Sequence, residues 1–125
     1  MNTNQTKKIL IIDDEPSIVL ALESLLKANN YTTEKAYNGK DGLEITKKFN
    51  PDLILLDVMM PFIDGLELSS IIRKDEKLKE IKIIFLTAKG ELSDKNDGYK
   101  KGCDDYIVKP FSSEKLLSKI TYFLE

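Results

Sequence analysis

The chain has 125 residues, of which 42% are apolar and 32% charged, and 19 Lys and Arg against 21 Asp and Glu leave a formal net charge of −2. This is the length of one domain with an ordinary globular composition, and no basic field exists to hold a nucleic-acid backbone. One Cys excludes an intramolecular disulfide, and the absence of His excludes Ser-His-Asp and Cys-His catalysis, His-ligated zinc and a phosphohistidine on this chain.

In chain order, the N-terminal MNTNQTKK leads into Ile9–Ile12, a four-residue apolar run that ends at Asp13. No apolar run approaches the ~18 residues that span a bilayer. The reading is therefore a soluble cytoplasmic protein that does not engage a membrane. Ile9–Ile12, Leu53–Leu56 and Ile83–Leu86 are short continuous apolar runs, the pattern of parallel strands buried on both faces. Thr32–Tyr37 and Tyr106–Val108 are weaker strand candidates.

Helical patterns lie between them. Ser17–Asn29 carries Ile18, Leu22, Leu25 and Leu26 on one face, with Pro16 at its start and Ser17 as a capping candidate. Asn38-Gly39 opens a second helix through Leu43 and Phe49, which Asn50-Pro51 stops. Asp64-Gly65 opens a third through Leu66, Leu68, Ile71 and Ile72. A fourth is predicted over Glu91–Lys101, with Gly102 as its C-terminal cap. Gly98, Asn96 and Asp97 are poor helix formers, and Leu92 and Tyr99 are almost its only apolar anchors, so it is expected to open most readily. Ser112 or Ser113 caps a fifth helix bearing Leu116, Leu117, Ile120 and Leu124.

Five βα units imply an α/β fold, a doubly wound five-stranded parallel sheet with helices on both faces. The common order for five such strands is 2-1-3-4-5, flavodoxin-like. No linker or repeat interrupts the pattern, so residues 1–125 read as a single domain.

The polar residues fall at strand ends. Asp13-Asp14 follow strand one, Asp57 follows strand three, Thr87 ends strand four and Lys109 ends strand five. In a parallel sheet these ends share one edge, where such folds place their sites. An Asp-Asp pair alone is commonly a turn or a helix N-terminal charge, but five groups converging from four adjacent strands form a constellation. Three carboxylates repel unless cations offset them. Lys109 offsets one, and a divalent cation would offset the rest. Oxygen-only ligands select a hard ion, Mg²⁺ before Mn²⁺ and unlike zinc. A carboxylate can attack phosphorus to form an acyl phosphate. Metal, Lys109 and the Thr87 hydroxyl would each take one phosphoryl oxygen, and Asp57, on the central strand, is the natural nucleophile.

The segments IIDDE, DLILLDVMMPFIDG, IIFLTA and GCDDYIVKPF, in this order and spacing, resemble the receiver domain of two-component response regulators, of the chemotaxis-regulator kind. The resemblance runs from about Lys7 to Glu125. It implies that Asp57 accepts a phosphoryl group from a histidine kinase or histidine phosphotransfer protein, with Mg²⁺ held by Asp13, Asp14, Asp57 and the Met59 backbone carbonyl. Asp14 is then the more direct carboxylate ligand of the acid pair. It implies that Lys109 pairs with the phosphoryl group, that Thr87 and Tyr106 switch, and that the face of the fourth helix, strand five and fifth helix controls a downstream effector. It also makes Lys109-Pro110 a candidate cis peptide bond. Met59 and Lys89 occupy positions that tune phosphoryl lifetime in the family.

A phosphorylation-dependent homodimer of the transcription-factor type is also implied, but only partly matched. Asp104, Asp105, Lys119 and Lys95 fit its ion-pair pattern. Lys115 stands where an acid is usual, with Glu114 beside it, and Thr121 stands where a base is usual. Lys100 and Lys101 make the fourth helix unusually basic.

The competing reading is an enzyme, an aspartyl-phosphate-forming phosphatase or phosphotransferase of the haloacid dehalogenase type. That type carries Asp-x-Asp at strand one, whereas here the pair is adjacent. A flavodoxin-type FMN binder needs a hydroxyl- and glycine-rich loop after strand one, where Asp13-Asp14-Glu15 would repel a phosphate. The chain is thus read as a switch and not a turnover enzyme.

Overall fold

A computed structural model describes residues 6–88 and 102–125. Within them the strands are β1 (Lys8–Ile12), β2 (Thr32–Ala36), β3 (Leu53–Asp57), β4 (Lys82–Ala88) and β5 (Asp105–Lys109). The helices are α1 (Pro16–Ala28), α2 (Gly39–Phe49), α3 (Gly65–Lys74) and the C-terminal α4 (Ser113–Leu124). The sequence-predicted fourth helix over Glu91–Lys101, and Lys89, lie outside the described residues.

The five strands are parallel in the expected order, β2-β1-β3-β4-β5. Successive side chains of a strand face opposite ways, so each apolar run supplies two cores. Leu10 and Ile12 of β1, Ile54 and Leu56 of β3, and Ile83 and Phe85 of β4 face one side. There they meet Leu68 and Ile72 of α3, with Leu43, Ile45 and Phe49 of α2 partly buried against them. Ile9, Ile11, Leu53, Leu55, Ile84 and Leu86 face the other side. There they meet Val19, Leu22 and Leu26 of α1 and Leu116 and Ile120 of α4. The edge strand β2 keeps only Ala36 fully buried, which explains its weak signal in the sequence.

Local chemistry sets most boundaries. The Asn38 side chain accepts from the Asp41 N–H at 2.8 Å, Asp64 from Glu67 at 2.8 Å and Ser112 from Lys115 at 3.1 Å. Asn50 closes α2 in the left-handed conformation that Asn tolerates. Two expectations for α1 need correction. Ser17 does not cap it: Glu15 stands at the N-cap without a side-chain bond, and Pro16 occupies the first turn. Val19, absent from the predicted face, is fully buried, whereas Ile18 and Leu25 lie at the margin. The Lys109-Pro110 bond is cis, as the resemblance implied.

Two close approaches hold the site loops. A Cβ on Gly65 would lie 2.3 Å from the Asp57 carbonyl oxygen, and one on Gly39 would lie 2.6 Å from that of Ile63. At the opposite sheet edge Arg73 bonds the carbonyls of Gly102 (2.7 Å), Lys79 (2.7 Å) and Ile81 (2.5 Å), and the Asp104 carboxylate (2.7 Å).

Gly65→Ala should lower stability by about 1–3 kcal/mol in urea titration, because backbone must move to admit the methyl group. A variant as stable as the wild type would show that the α3 N-terminus is free to retreat from Asp57.

Candidate functional site at the carboxyl edge of the sheet

Strand register brings the expected residues to one edge. Asp57 is the last residue of β3 and pairs with Leu86, one before Thr87. Ala88 pairs with Lys109 across β4 and β5. Asp13 follows β1 directly, and its N–H donates to Ala36 O at 3.2 Å, which extends the β1–β2 ladder by one bond.

Asp13 is fully buried, Asp57 is 4% exposed and Thr87 2%, while Asp14 is exposed. Each of Asp13, Asp14 and Asp57 offers a carboxylate oxygen within 4.8 Å of the others. Lys109 Nζ lies 3.0 Å from Asp13 Oδ2 and 3.6 Å from Asp57 Oδ1. It also reaches Glu15 Oε1 at 3.4 Å. Asp13 Oδ1 accepts from the Glu15 N–H at 2.9 Å, which fixes the buried carboxylate from its other side.

The electrostatics follow from this crowding. Burial first, and then the Asp13 charge, push the Asp57 carboxyl up to about 7, against the opposing pull of Lys109. Burial alone would lower the Lys109 ammonium, but Asp13, Asp57 and Glu15 outweigh it and hold the group above its ordinary value. A site whose carboxyl resists ionisation despite a touching lysine carries too little positive charge. Three hard oxygen donors with that deficit suit a hard divalent cation.

Thr87 is the penultimate residue of β4, which ends at Ala88 and not at Thr87 as expected, and Tyr106 is the second residue of β5. The Thr87 hydroxyl donates to Ala88 O at 3.1 Å. Tyr106 pairs with Phe85 in the ladder, and its half-buried ring packs on the core between the sheet and α2–α3. Met59 lies in the loop after Asp57 with its side chain 61% exposed, outside the core.

Sequence reasoning missed Glu15 as a partner of Lys109. The residues are far apart in the chain, and only the sheet order brings them together. It also missed Arg73, whose contacts with Gly102 and Asp104 are long-range in the same way. Asp104 and Asp105, expected on a dimer face, are paired within the chain: Asp104 with Arg73 at 2.7 Å and Asp105 with Lys119 at 2.8 Å. Lys95, Lys100 and Lys101 lie outside the described residues.

Comparison with known proteins decides the family. Residues 9–121 match the family described as the response regulator receiver domain. The chain belongs to that family. It is 38% identical over 117 residues to the DNA-binding dual master transcriptional regulator RpaA of Synechocystis, covering 94% of this chain and 48% of RpaA. It is 43% identical over 122 residues to the transcriptional regulatory protein ResD of Bacillus subtilis, covering 98% of this chain and 49% of ResD. The receiver thus spans about half the length of these curated relatives. Its fold matches the chemotaxis protein CheY4 of Vibrio cholerae with a TM-score of 0.90, 31% identity and coverage of 96% and 100%. The receiver domain of Francisella response regulator 1452 matches with a TM-score of 0.86, 33% identity and coverage of 94% and 96%. Among the described residues no helix is long and apolar enough to cross a membrane.

A raised carboxyl stabilises the fold only while protonated. Its contribution is full below the ordinary carboxylate range and is lost as pH rises through about 7. Asp57→Asn removes that loss. In metal-free buffer at pH 8 the variant should be more stable than wild type by on the order of 2 kcal/mol, and the gap should close near pH 4. Equal melting temperatures across this range would mean that Asp57 ionises freely.

Proposed function

We propose that this receiver is a phosphorylation-dependent signalling switch that accepts a phosphoryl group on Asp57 from a partner histidine kinase or histidine phosphotransfer protein. The observation that carries the reading is the meeting of a buried Asp57 with Asp13, Asp14 and Lys109 at one sheet edge, in a chain of the receiver family. An Asp57 oxygen attacks phosphorus, the P–N bond to the donor imidazole breaks, and the electron pair stays with the imidazole nitrogen. Lys109, already between Asp13 and Asp57, turns its ammonium to one phosphoryl oxygen, and the Thr87 hydroxyl takes another.

Asp13, Asp14, Asp57 and the Met59 carbonyl are the residues that would hold Mg²⁺, or Mn²⁺ in its place. The ion supplies charge neutralisation for the incoming phosphoryl group. Asp14 is the exposed member of the acid pair and the one open to solvent, while Asp13 is held by Lys109 and the Glu15 N–H. The modification replaces a carboxylate with an acyl phosphate near −2. Thr87 and Tyr106 respond, and the face that includes β5 and α4 changes toward an effector protein or domain.

RpaA and ResD are named as transcriptional regulators, which supports an output in gene control supplied by residues other than these. The receiver itself contacts no nucleic acid and no membrane in this reading. Its setting is the cytoplasm, where a lone buried thiol such as Cys103 stays reduced. A phosphorylation-driven homodimer would use Asp104, Asp105 and Lys119 on this face, where Asp104 pairs with Arg73 and Asp105 with Lys119 within the chain. Self-phosphorylation and loss of the phosphoryl group are single events of a switch, not turnover of a substrate.

Incubation with acetyl phosphate and Mg²⁺ should add one phosphoryl group by mass spectrometry. Asp57→Asn should not label, excess EDTA should abolish labelling, and Lys109→Ala should slow it by roughly 100-fold. Wild-type labelling of the Asp57→Asn variant would remove the nucleophile assignment, and labelling that persists in EDTA would remove the metal.

A further inference from the structure

The loop of residues 58–64, between β3 and α3, sends its side chains in two directions. Val58 and Met60 are buried and Ile63 packs against the core. Met59 is 61% exposed and Phe62 is 99% exposed. This display does not come from slack backbone. The Val58 N–H donates to Leu86 O at 3.1 Å, and the Gly65 N–H donates to Val58 O at 2.9 Å, closing the loop on itself. Asp64 caps α3, and Ile63 lies too close to Gly39 to admit a Cβ there.

Phe62 sits in this fixed frame with φ +68°, a left-handed backbone that a bulky side chain rarely adopts. Glycine or asparagine would relieve the backbone and remove the ring from water at once. Strain and exposure at one residue beside a reactive site point to a use for the ring. With Pro61 and Ile63 it walls a groove of about 370 Å³. The opposite wall is the start of α2, at Asn38, Gly39 and Lys40.

We infer that Phe62 is an apolar anchor for the protein that donates the phosphoryl group, an inference that rests on the reading of Asp57 as its acceptor. Asp57 is only 4% exposed, and a histidine side chain is only a few atoms long. A small phosphodonor can diffuse in. A phosphohistidine carried by a protein reaches Asp57 only when the surface around that histidine lies on the rim. The Gly65–Val58 bond folds the loop back on the end of β3, so Phe62 stands on that rim. In the groove lining itself Lys40 is matched by Asp41, so the groove carries no net charge. The chemistry that fits is a neutral, aliphatic patch flanking the donor histidine, into which the ring inserts.

The test compares two donors on three proteins. Wild type, Phe62→Gly and Phe62→Leu are labelled with acetyl phosphate and Mg²⁺. They are also labelled by the radiolabelled, autophosphorylated histidine-kinase core that phosphorylates the wild type fastest in a panel from its source organism. Acetyl phosphate should label all three within about twofold. Transfer from the kinase should fall at least about tenfold in kcat/KM for Phe62→Gly, through KM, and recover in Phe62→Leu. The glycine variant suits the left-handed backbone, so its folding is not at risk. Three results would overturn the inference. They are undiminished kinase transfer to Phe62→Gly, an equal loss with both donors, and a ring-dependent self-association of the wild type in sedimentation. A wild type that acetyl phosphate does not label at Asp57 would instead remove the underlying reading.

Discussion

Like charges held out of water dominate this molecule. Asp13 is fully buried and Asp57 nearly so, and burial together with the Asp13 charge raises the cost of ionising Asp57. The lysine that restrains them comes from β5, at the far edge of the sheet, and reaches Asp13 beyond β1. The strand order, the β4–β5 register and the Lys109 position are therefore bound to one electrostatic problem. A flat acidic surface would not need such an arrangement, because water would screen it. Burial of Asp13 and Asp57 beside the exposed Asp14 makes a site with an unmet demand for positive charge, and the mechanism proposed above answers that demand.

The same burial explains what the sequence made legible. Ile9–Ile12, Leu53–Leu56 and Ile83–Leu86 are covered on both faces, so each reads as a continuous apolar run wherever it occurs. Asp13, Asp57 and Thr87 could be placed because each ends such a run. The start of α2 and that of α3 were readable from Asn38 and Asp64, whose capping bonds span three residues. The start of α1 was misread, since Glu15 takes the cap position without a side-chain bond and leaves Ser17 idle.

What stayed hidden depends on distance along the chain. Glu15 meets Lys109 and Arg73 meets Asp104 only after the sheet has formed. Neither residue type nor local spacing announces such pairs. The exposure of Phe62 was hidden for a related reason. In sequence it is one more apolar residue in a largely apolar segment. Only the structure shows the ring 99% exposed on a left-handed backbone. The dimer pattern was visible in residue type, whereas the pairing of Asp104 with Arg73 within the chain was not.

The sheet also divides the interior in two. Leu10 and Ile12 belong to one cluster, Ile9 and Ile11 to the other, and among the described residues no buried residue is shared between them. Truncations on opposite faces touch different neighbours, so their effects on stability combine close to independently, whereas truncations on one face interact. The α2–α3 layer carries Tyr106 and the loop that bears Phe62, while the α1–α4 layer carries neither. Adaptive change can therefore retune one layer with little disturbance of packing in the other, which makes the sheet a partition for evolution as well as a support for the site.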